Sequence, residues 1–165
     1  MTMLDHVPAL LLGRRSEVLA DNRLLQAVLG TRLERGTPFV RWLFLDPAAR
    51  ERITNWQDFA SAAVGGLRYE AGRRPEDRQL NALIDELRAH DHDVADWWDD
   101  HGVADRPSAP KQIAHPSAGL LTFDIEAVTS PLDPEQRLVV YTVEPDSPTA
   151  HVLPLLAGWG VDVEH

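Results

Sequence analysis

The sequence predicts an α+β fold in which a five-stranded antiparallel sheet carries a helical block inserted between its second and third strands. Three observations predict it. The stretch from Thr37 to His101 holds four of the five tryptophans, and its apolar residues recur at helical rather than alternating spacing. Short apolar or β-branched runs flank that stretch, two before it and three after. The chain has 165 residues, 44% of them hydrophobic, which suits one domain with a sizeable core. A single domain is therefore expected over residues 4–157. Residues 158–165 are expected to form a tail, and the closing Val163-Glu164-His165 reads as a tag remnant.

Pro8-Ala9-Leu10-Leu11-Leu12-Gly13 is an apolar run closed by a glycine, the pattern of a buried strand. Arg14-Arg15-Ser16 turns the chain, and Glu17-Val18-Leu19-Ala20 resumes the apolar pattern, so the chain opens on a hairpin. Asp21 or Asn22 then supplies a helix N-cap. Leu25, Val28 and Leu29 share one face after it, and Gly30 is the stop. Thr37-Pro38 repeats the start signal, a capping hydroxyl followed by proline at the first helical position. Phe39, Val40, Trp42, Leu43, Phe44 and Leu45 make the next turns apolar nearly all round, broken only by Arg41, so they must be covered on several sides. Asp46-Pro47 caps a further short helix through Ile53.

The clearest helix runs from Thr54 to Ala71. Trp56, Phe59, Ala60, Ala63, Val64, Leu67 and Ala71 form its apolar stripe, with Arg68 at the edge. Thr54 followed by Gln57 reads as a capping box. Gly72-Arg73-Arg74-Pro75 breaks the pattern, with proline placed to open another helix, and Leu80, Leu83, Ile84 and Leu87 form its stripe. Val94, Trp97, Trp98 and His101 continue at helical spacing until Gly102.

The period then changes. Pro107 to Pro110 is a linker-like bend, Lys111 to His115 a strand, and His115-Pro116-Ser117-Ala118-Gly119 a turn. From Leu120 the alternation is strict: Leu121, Phe123 and Ile125 on one face, Thr122, Asp124 and Glu126 on the other. After the turn-rich Ser130 to Pro134, the run from Leu138 to Glu144 reads as the central strand, because both its faces are largely apolar. Ser147-Pro148 caps a short last helix that Pro154 should kink or end. A chain that returns to its first hairpin with its last three strands matches a PAS-like sheet.

Composition narrows the function. A net charge of −10 repels phosphates and argues against direct nucleic-acid binding. The absence of cysteine excludes disulfides, thiolate metal sites and cysteine nucleophiles, and fits a reducing, cytoplasmic setting. Met1 to His6 carries no signal-peptide pattern, and no uncharged apolar run spans a membrane, since Ser147 to Val161 is broken by Pro148, Pro154, Gly158 and Gly160.

No catalytic constellation emerges, so no enzyme is expected. The serines lack glycine flanks, and Gly65-Gly66 lies in a helical pattern rather than after a strand. His92 and Asp96 are one helical turn apart, as metal ligands can be, but a solvated acidic helix face with Trp97 or Trp98 turned inward explains the stretch from Asp91 to His101 better. A calcium loop is excluded, because Ala95 stands at a ligand position and no glycine marks the sharp turn. His115 before Pro116 suits a ligand or base, yet a histidine in a turn more often bonds local backbone. Neither metal nor cofactor is expected.

Ala20-Asp21-Asn22-Arg23-Leu24, Leu43-Phe44-Leu45-Asp46-Pro47-Ala48-Ala49-Arg50 and Asn55-Trp56 resemble the ligand-binding domain of MmyB-like transcription regulators. So do Leu67-Arg68, Gly72-Arg73, Leu87, Trp98 with His101 and Val103, His115-Pro116 with Gly119, and Leu138-Val139-Val140-Tyr141. The match runs in order over nearly the whole chain. It departs at His92 and Val94, where the family usually has a serine and an aromatic, and before His115, where the basic stretch keeps only Lys111. The resemblance implies a PAS-like regulatory domain that holds a fatty acid. It also implies an N-terminal helix-turn-helix domain of the XRE type, which this chain, beginning at the hairpin, is expected to lack.

The reading that follows is a bacterial ligand sensor: a small apolar molecule such as a fatty acid enters between sheet and helices and modulates DNA binding by the attached domain. An apolar cavity with a few orienting polar groups is the physical requirement. Trp42, Phe44, Trp56, Phe59, Val64 and Leu67, with Leu121 and Phe123, are the candidate walls, each competing with ordinary core packing. Arg41 and Arg68 are the candidates to pair a carboxylate, since a guanidinium in an apolar strip needs an anion. For Arg68 an intrachain bond is the alternative. Two other readings stay open. One is a haem- or flavin-type PAS sensor using His92, His101 or His115, although a flavin adduct would need a cysteine. The other is a structural dimerisation module with a filled core. A homodimer is compatible with each.

Overall fold

The computed structural model describes residues 6–99 and 110–163. In chain order its elements are β1 (Ala9–Leu12), β2 (Val18–Asp21), α1 (Arg23–Leu29), α2 (Phe39–Leu45), α3 (Pro47–Arg52), α4 (Trp56–Arg73), α5 (Arg78–His90), α6 (His92–Asp99), β3 (Lys111–His115), β4 (Gly119–Ser130), β5 (Asp133–Thr142) and α7 (Pro148–Val163). The fold is α+β with one five-stranded antiparallel sheet in the order β2-β1-β5-β4-β3. The chain divides into two compact units: Met1–Phe39, Glu51–Thr54 and Pro110–His165 in one, Val40–Arg50 and Asn55–Ala109 in the other. Among the described residues no helix is long and apolar enough to cross a membrane.

In the first unit, β5 is the central strand, as its two-sided apolar pattern predicts. Leu11 faces Leu138 and Ala9 faces Val140, so the last strand closes on the first. The opening hairpin is held at its exit by Asn22. Its Oδ1 accepts from Leu25 N at 2.9 Å, capping α1, and from Ala9 N at 3.1 Å, while Nδ2 donates to Val7 O at 2.7 Å. One side chain thereby starts the helix and fixes the first strand. Gly30 ends α1 in the left-handed region at φ +74°, and a Cβ there would collide with the Arg52 guanidinium. On β4, Leu121 and Phe123 are buried while Thr122, Asp124 and Glu126 are exposed, the alternation read from sequence.

Four local expectations are corrected. α2 does start directly after Thr37-Pro38, at Phe39, but Pro38 is not its first residue: Pro38 bridges Glu17, and Thr37 O accepts from Val18 N at 3.0 Å, so backbone pairing with the hairpin holds both residues just outside the helix. Thr54 is no cap of α4. Its backbone N–H donates to Gln112 O at 2.8 Å beside the Ile53–Ile113 bridge, and the helix starts at Trp56, with Asn55 at the cap position. Pro75 does not begin α5, whose N-cap is Asp77, with Oδ1 accepting from Leu80 N at 3.1 Å. Finally, α7 runs on through Pro154 to Val163, into the expected tail. Ser147 caps it as predicted, accepting from Ala150 N at 3.1 Å. Pro154 is exposed, so water can satisfy the carbonyl that loses its helical donor.

In the second unit, α5 buries Leu80, Leu83, Ile84 and Leu87, the predicted stripe. Asp91 separates α5 from α6, and its Oδ1 accepts from Asp93 N at 2.9 Å and Val94 N at 3.2 Å. Its placement lets one carboxylate satisfy two orphan donors of the next helix. Along α4, Trp56, Ala60, Ser61, Val64, Gly65 and Leu67 are buried. Gly65 is thus a buried position within a helix rather than part of a phosphate loop.

Candidate functional site

Trp56 organises the second unit. It is buried at the first position of α4, and its Nε1 donates to Leu43 O at 2.8 Å, the carbonyl of a residue on α2. Phe44 meets its ring edge-on, with centroids 6.0 Å apart and planes at 89°. Trp97 of α6 lies 5.8 Å away, tilted by 39°. The Arg50 guanidinium stacks on the indole at 3.8 Å. Arg50 also bonds the buried Asp91 carboxylate and lies 3.5 Å from Asp93. One tryptophan is thus fixed by an indole hydrogen bond, two aromatic neighbours and a cation that a buried acid positions.

Of the other sequence candidates here, Val64 and Leu67 are buried on α4, while Phe59, Arg68 and Trp42 are half-buried. Arg41 bonds Glu86, so its anion is supplied by the chain itself. Phe44 and Trp56 are brought together. Trp97, Arg50 and Asp91 complete their cluster and were not among the candidate ligand-binding residues read from sequence. Trp97 was visible as one of the apolar positions of α6, but Arg50 and Asp91 are 41 residues apart and no local pattern joins them.

Leu121 and Phe123 belong to the first unit, on the covered face of the sheet. Register puts Lys111 opposite Phe123 and Ile113 opposite Leu121, and Phe123 packs on Tyr141 with centroids 5.6 Å apart. Lys111 is 3% exposed. Its Nζ donates to Tyr141 Oη at 2.8 Å and lies over the rings of Phe39, at 5.2 Å, and Tyr141, at 4.9 Å. The sequence carried a signal for this. In Lys111-Gln112-Ile113 the alternation that buries Ile113 also turns Lys111 inward.

His115 is engaged by backbone at both ring nitrogens. Nδ1 accepts from Ser117 N and Ala118 N, each at 3.1 Å, and Nε2 donates to Ala27 O at 3.1 Å. Two N–H donors on Nδ1 fix the neutral tautomer with its proton on Nε2. Burial lowers its pKa from the ordinary 6.5, and the charge of Arg52 lowers it further, against an opposing effect of the Ala27 bond. His92 is exposed beside Asp93, at 3.6 Å. Among the described residues no group of three or more histidines and carboxylates is placed to hold a metal. His101, Gly102 and the Pro107 to Ala109 bend lie outside the described residues.

A family model described as the MmyB-like transcription regulator ligand binding domain matches residues 1–156. No curated protein matches the chain. With the five-stranded antiparallel sheet and the helices between its second and third strands as expected, the chain belongs to the family of MmyB-like transcription regulator ligand binding domains.

Proposed function

We propose that residues 4–157 form one ligand-sensing domain that binds a fatty-acid-like molecule and modulates DNA binding by an attached helix-turn-helix domain in a bacterial cytoplasm. The observation that carries this reading is the match to a regulator's ligand binding domain over residues 1–156. Supporting it, each unit has buried apolar chemistry suited to an acyl chain: the Phe44–Trp56 cluster in one, and Leu121 with Phe123 in the other. Trp42, Phe59, Val64 and Leu67 extend the proposed apolar surface along α2 and α4. Arg41, which bonds Glu86, and Arg68 are the proposed guanidinium contacts for the ligand's polar end.

Native mass spectrometry of protein as isolated tests the reading directly, with a co-purified lipid mass expected. Delipidated protein should then melt higher with a medium- or long-chain fatty acid. Ligand at about 100 times its dissociation constant adds roughly 2.7 kcal/mol, on the order of 5–10 °C for a chain of this size. No adduct and no shift at any chain length would end the lipid reading. Visible absorbance from a bound chromophore would favour the haem or flavin alternative instead.

A further inference from the structure

We propose that Arg52 forms an oxyanion site in the first unit: its guanidinium, seated on Gly30 at the end of α1 and beside His115, takes a phosphate or carboxylate group. The inference goes beyond the acyl reading and does not depend on it, because a free anion and a lipid head group present the same oxygens.

Arg52 is the last residue of α3 and is half-buried. Its Nη1 is fully buried and has no hydrogen-bond partner among the described residues. That atom carries two of the five N–H donors of a group that stays charged at every pH the protein meets. A buried donor without an acceptor is rare in folded chains, and one on a charged group is the costliest kind. Two carbonyls in the last turn of α1 are already engaged. Gln26 O accepts from Gly30 N at 2.8 Å, and Ala27 O accepts from His115 Nε2 at 3.1 Å. An oxyanion meets the need best, since its paired oxygens match the planar fork of the guanidinium.

A glycine makes room for the cation. A Cβ at Gly30 would lie 2.6 Å from Arg52 Cζ and 2.9 Å from Nη1, so the guanidinium rests against bare backbone. α1 has no basic residue in its own last turn, and Arg52 supplies the positive charge that a helix C-terminus favours. That role fixes the cation in place but gives Nη1 no acceptor. His115 senses the charge from the other side: burial lowers its pKa most, and Arg52 lowers it further, against the Ala27 bond. An oxyanion on Arg52 cancels that influence, so the imidazole reports occupancy. Ile53 follows Arg52 in the chain, bridges Ile113 and is fully buried with it, which sets the charge next to an apolar interior.

The test titrates delipidated wild type and Arg52→Met, at constant ionic strength, with phosphate, acetate, dodecanoic acid and dodecanol. Calorimetry reads binding, and nuclear magnetic resonance reads the His115 pKa. At least one of the three anions should bind wild type about tenfold or more tightly than Arg52→Met, as a charge-assisted contact implies. The same anion should raise the His115 pKa in wild type and leave it unmoved in the variant. Binding of phosphate or acetate identifies a free anion as the occupant, and dodecanoic acid bound in preference to both and to dodecanol identifies a lipid head group. Anion binding that Arg52→Met retains, or a His115 pKa that no anion moves, overturns the site and leaves Arg52 as the cation at the end of α1. Dodecanoic acid and dodecanol that bind equally, with His115 unmoved, overturn the site while the ligand-sensing reading stands. Phosphate bound through Arg52 with neither lipid bound supports the site and removes the lipid reading. Should Arg52→Met fail to fold, the wild-type titration decides: a saturable rise in the His115 pKa supports the site, and an unmoved pKa overturns it.

Discussion

The Ala27 carbonyl near the end of α1 accepts the Nε2 proton of His115, at 3.1 Å and across 88 residues of sequence. With Nδ1 accepting from two backbone N–H groups, the ring has no site for a second proton without losing a bond. Its pKa therefore lies below the ordinary 6.5, through burial first and the charge of Arg52 second. The unfolded chain takes up this proton at a higher pH than the folded one. The His115 contribution to stability is thus fully present above about 6.5 and is lost as pH falls from there toward the folded value. Chemical denaturation as a function of pH should show that decline, and His115→Gln should flatten it.

Asp91 is 6% exposed and serves two masters, the Arg50 guanidinium and the first turn of α6. Arg50→Met leaves a buried carboxylate short of its cation and should cost about 1–3 kcal/mol. Asp91→Ala removes a helix cap as well, worth about 1 kcal/mol more. A double-mutant cycle in urea should give a coupling between Arg50 and Asp91 of about 0.5–3 kcal/mol. A coupling near zero would make Arg50's stacking on Trp56 its main contribution.

Gly30 and Gly36 both have positive φ, +74° and +84°, but only Gly30 faces another side chain. Gly36→Ala should cost about 1–2 kcal/mol from backbone conformation alone. Gly30→Ala should cost more, because its Cβ also displaces the Arg52 guanidinium from the end of α1. The difference between the two unfolding free energies measures that displacement. Equal losses would mean that Arg52 relocates freely.

Phe59 is half-buried on α4, and Phe59→Trp should narrow the proposed apolar surface. The expected result is a smaller melting-temperature rise with fatty acid, set against an overpacking cost of about 1–3 kcal/mol in the unliganded protein. Calorimetry with and without ligand separates the two effects. An unchanged rise would remove Phe59 from the ligand's surroundings.

Strands and helices were legible in sequence wherever a period ran long enough to be unambiguous. The alternation of Leu121, Phe123 and Ile125, and the stripe of Leu80, Leu83, Ile84 and Leu87, left no competing assignment. Helix starts were less legible, because Thr37, Thr54 and Pro75 carry capping chemistry that tertiary pairing or a later cap overrode. Thr54 shows why: its N–H found Gln112 O, a partner no local pattern reveals. At the candidate site, Trp56 and Phe44 stood out by residue type. Arg50, Asp91 and Tyr141 did not, since their roles depend on distant partners, and Lys111 was passed over because lysine is ordinarily a surface residue.

Because β5 occupies the middle of the sheet, β1 has its central neighbour only after the helical block and two further strands have been made. During synthesis the opening hairpin must wait with one edge unmatched, and the contact that closes the sheet spans most of the polypeptide. Loop closure on that scale slows folding more than it weakens the product. The N-terminal hairpin is consequently the part of this protein most in need of protection while it is being made, and a nascent chain stalled before Asp133 presents an open strand edge to its neighbours.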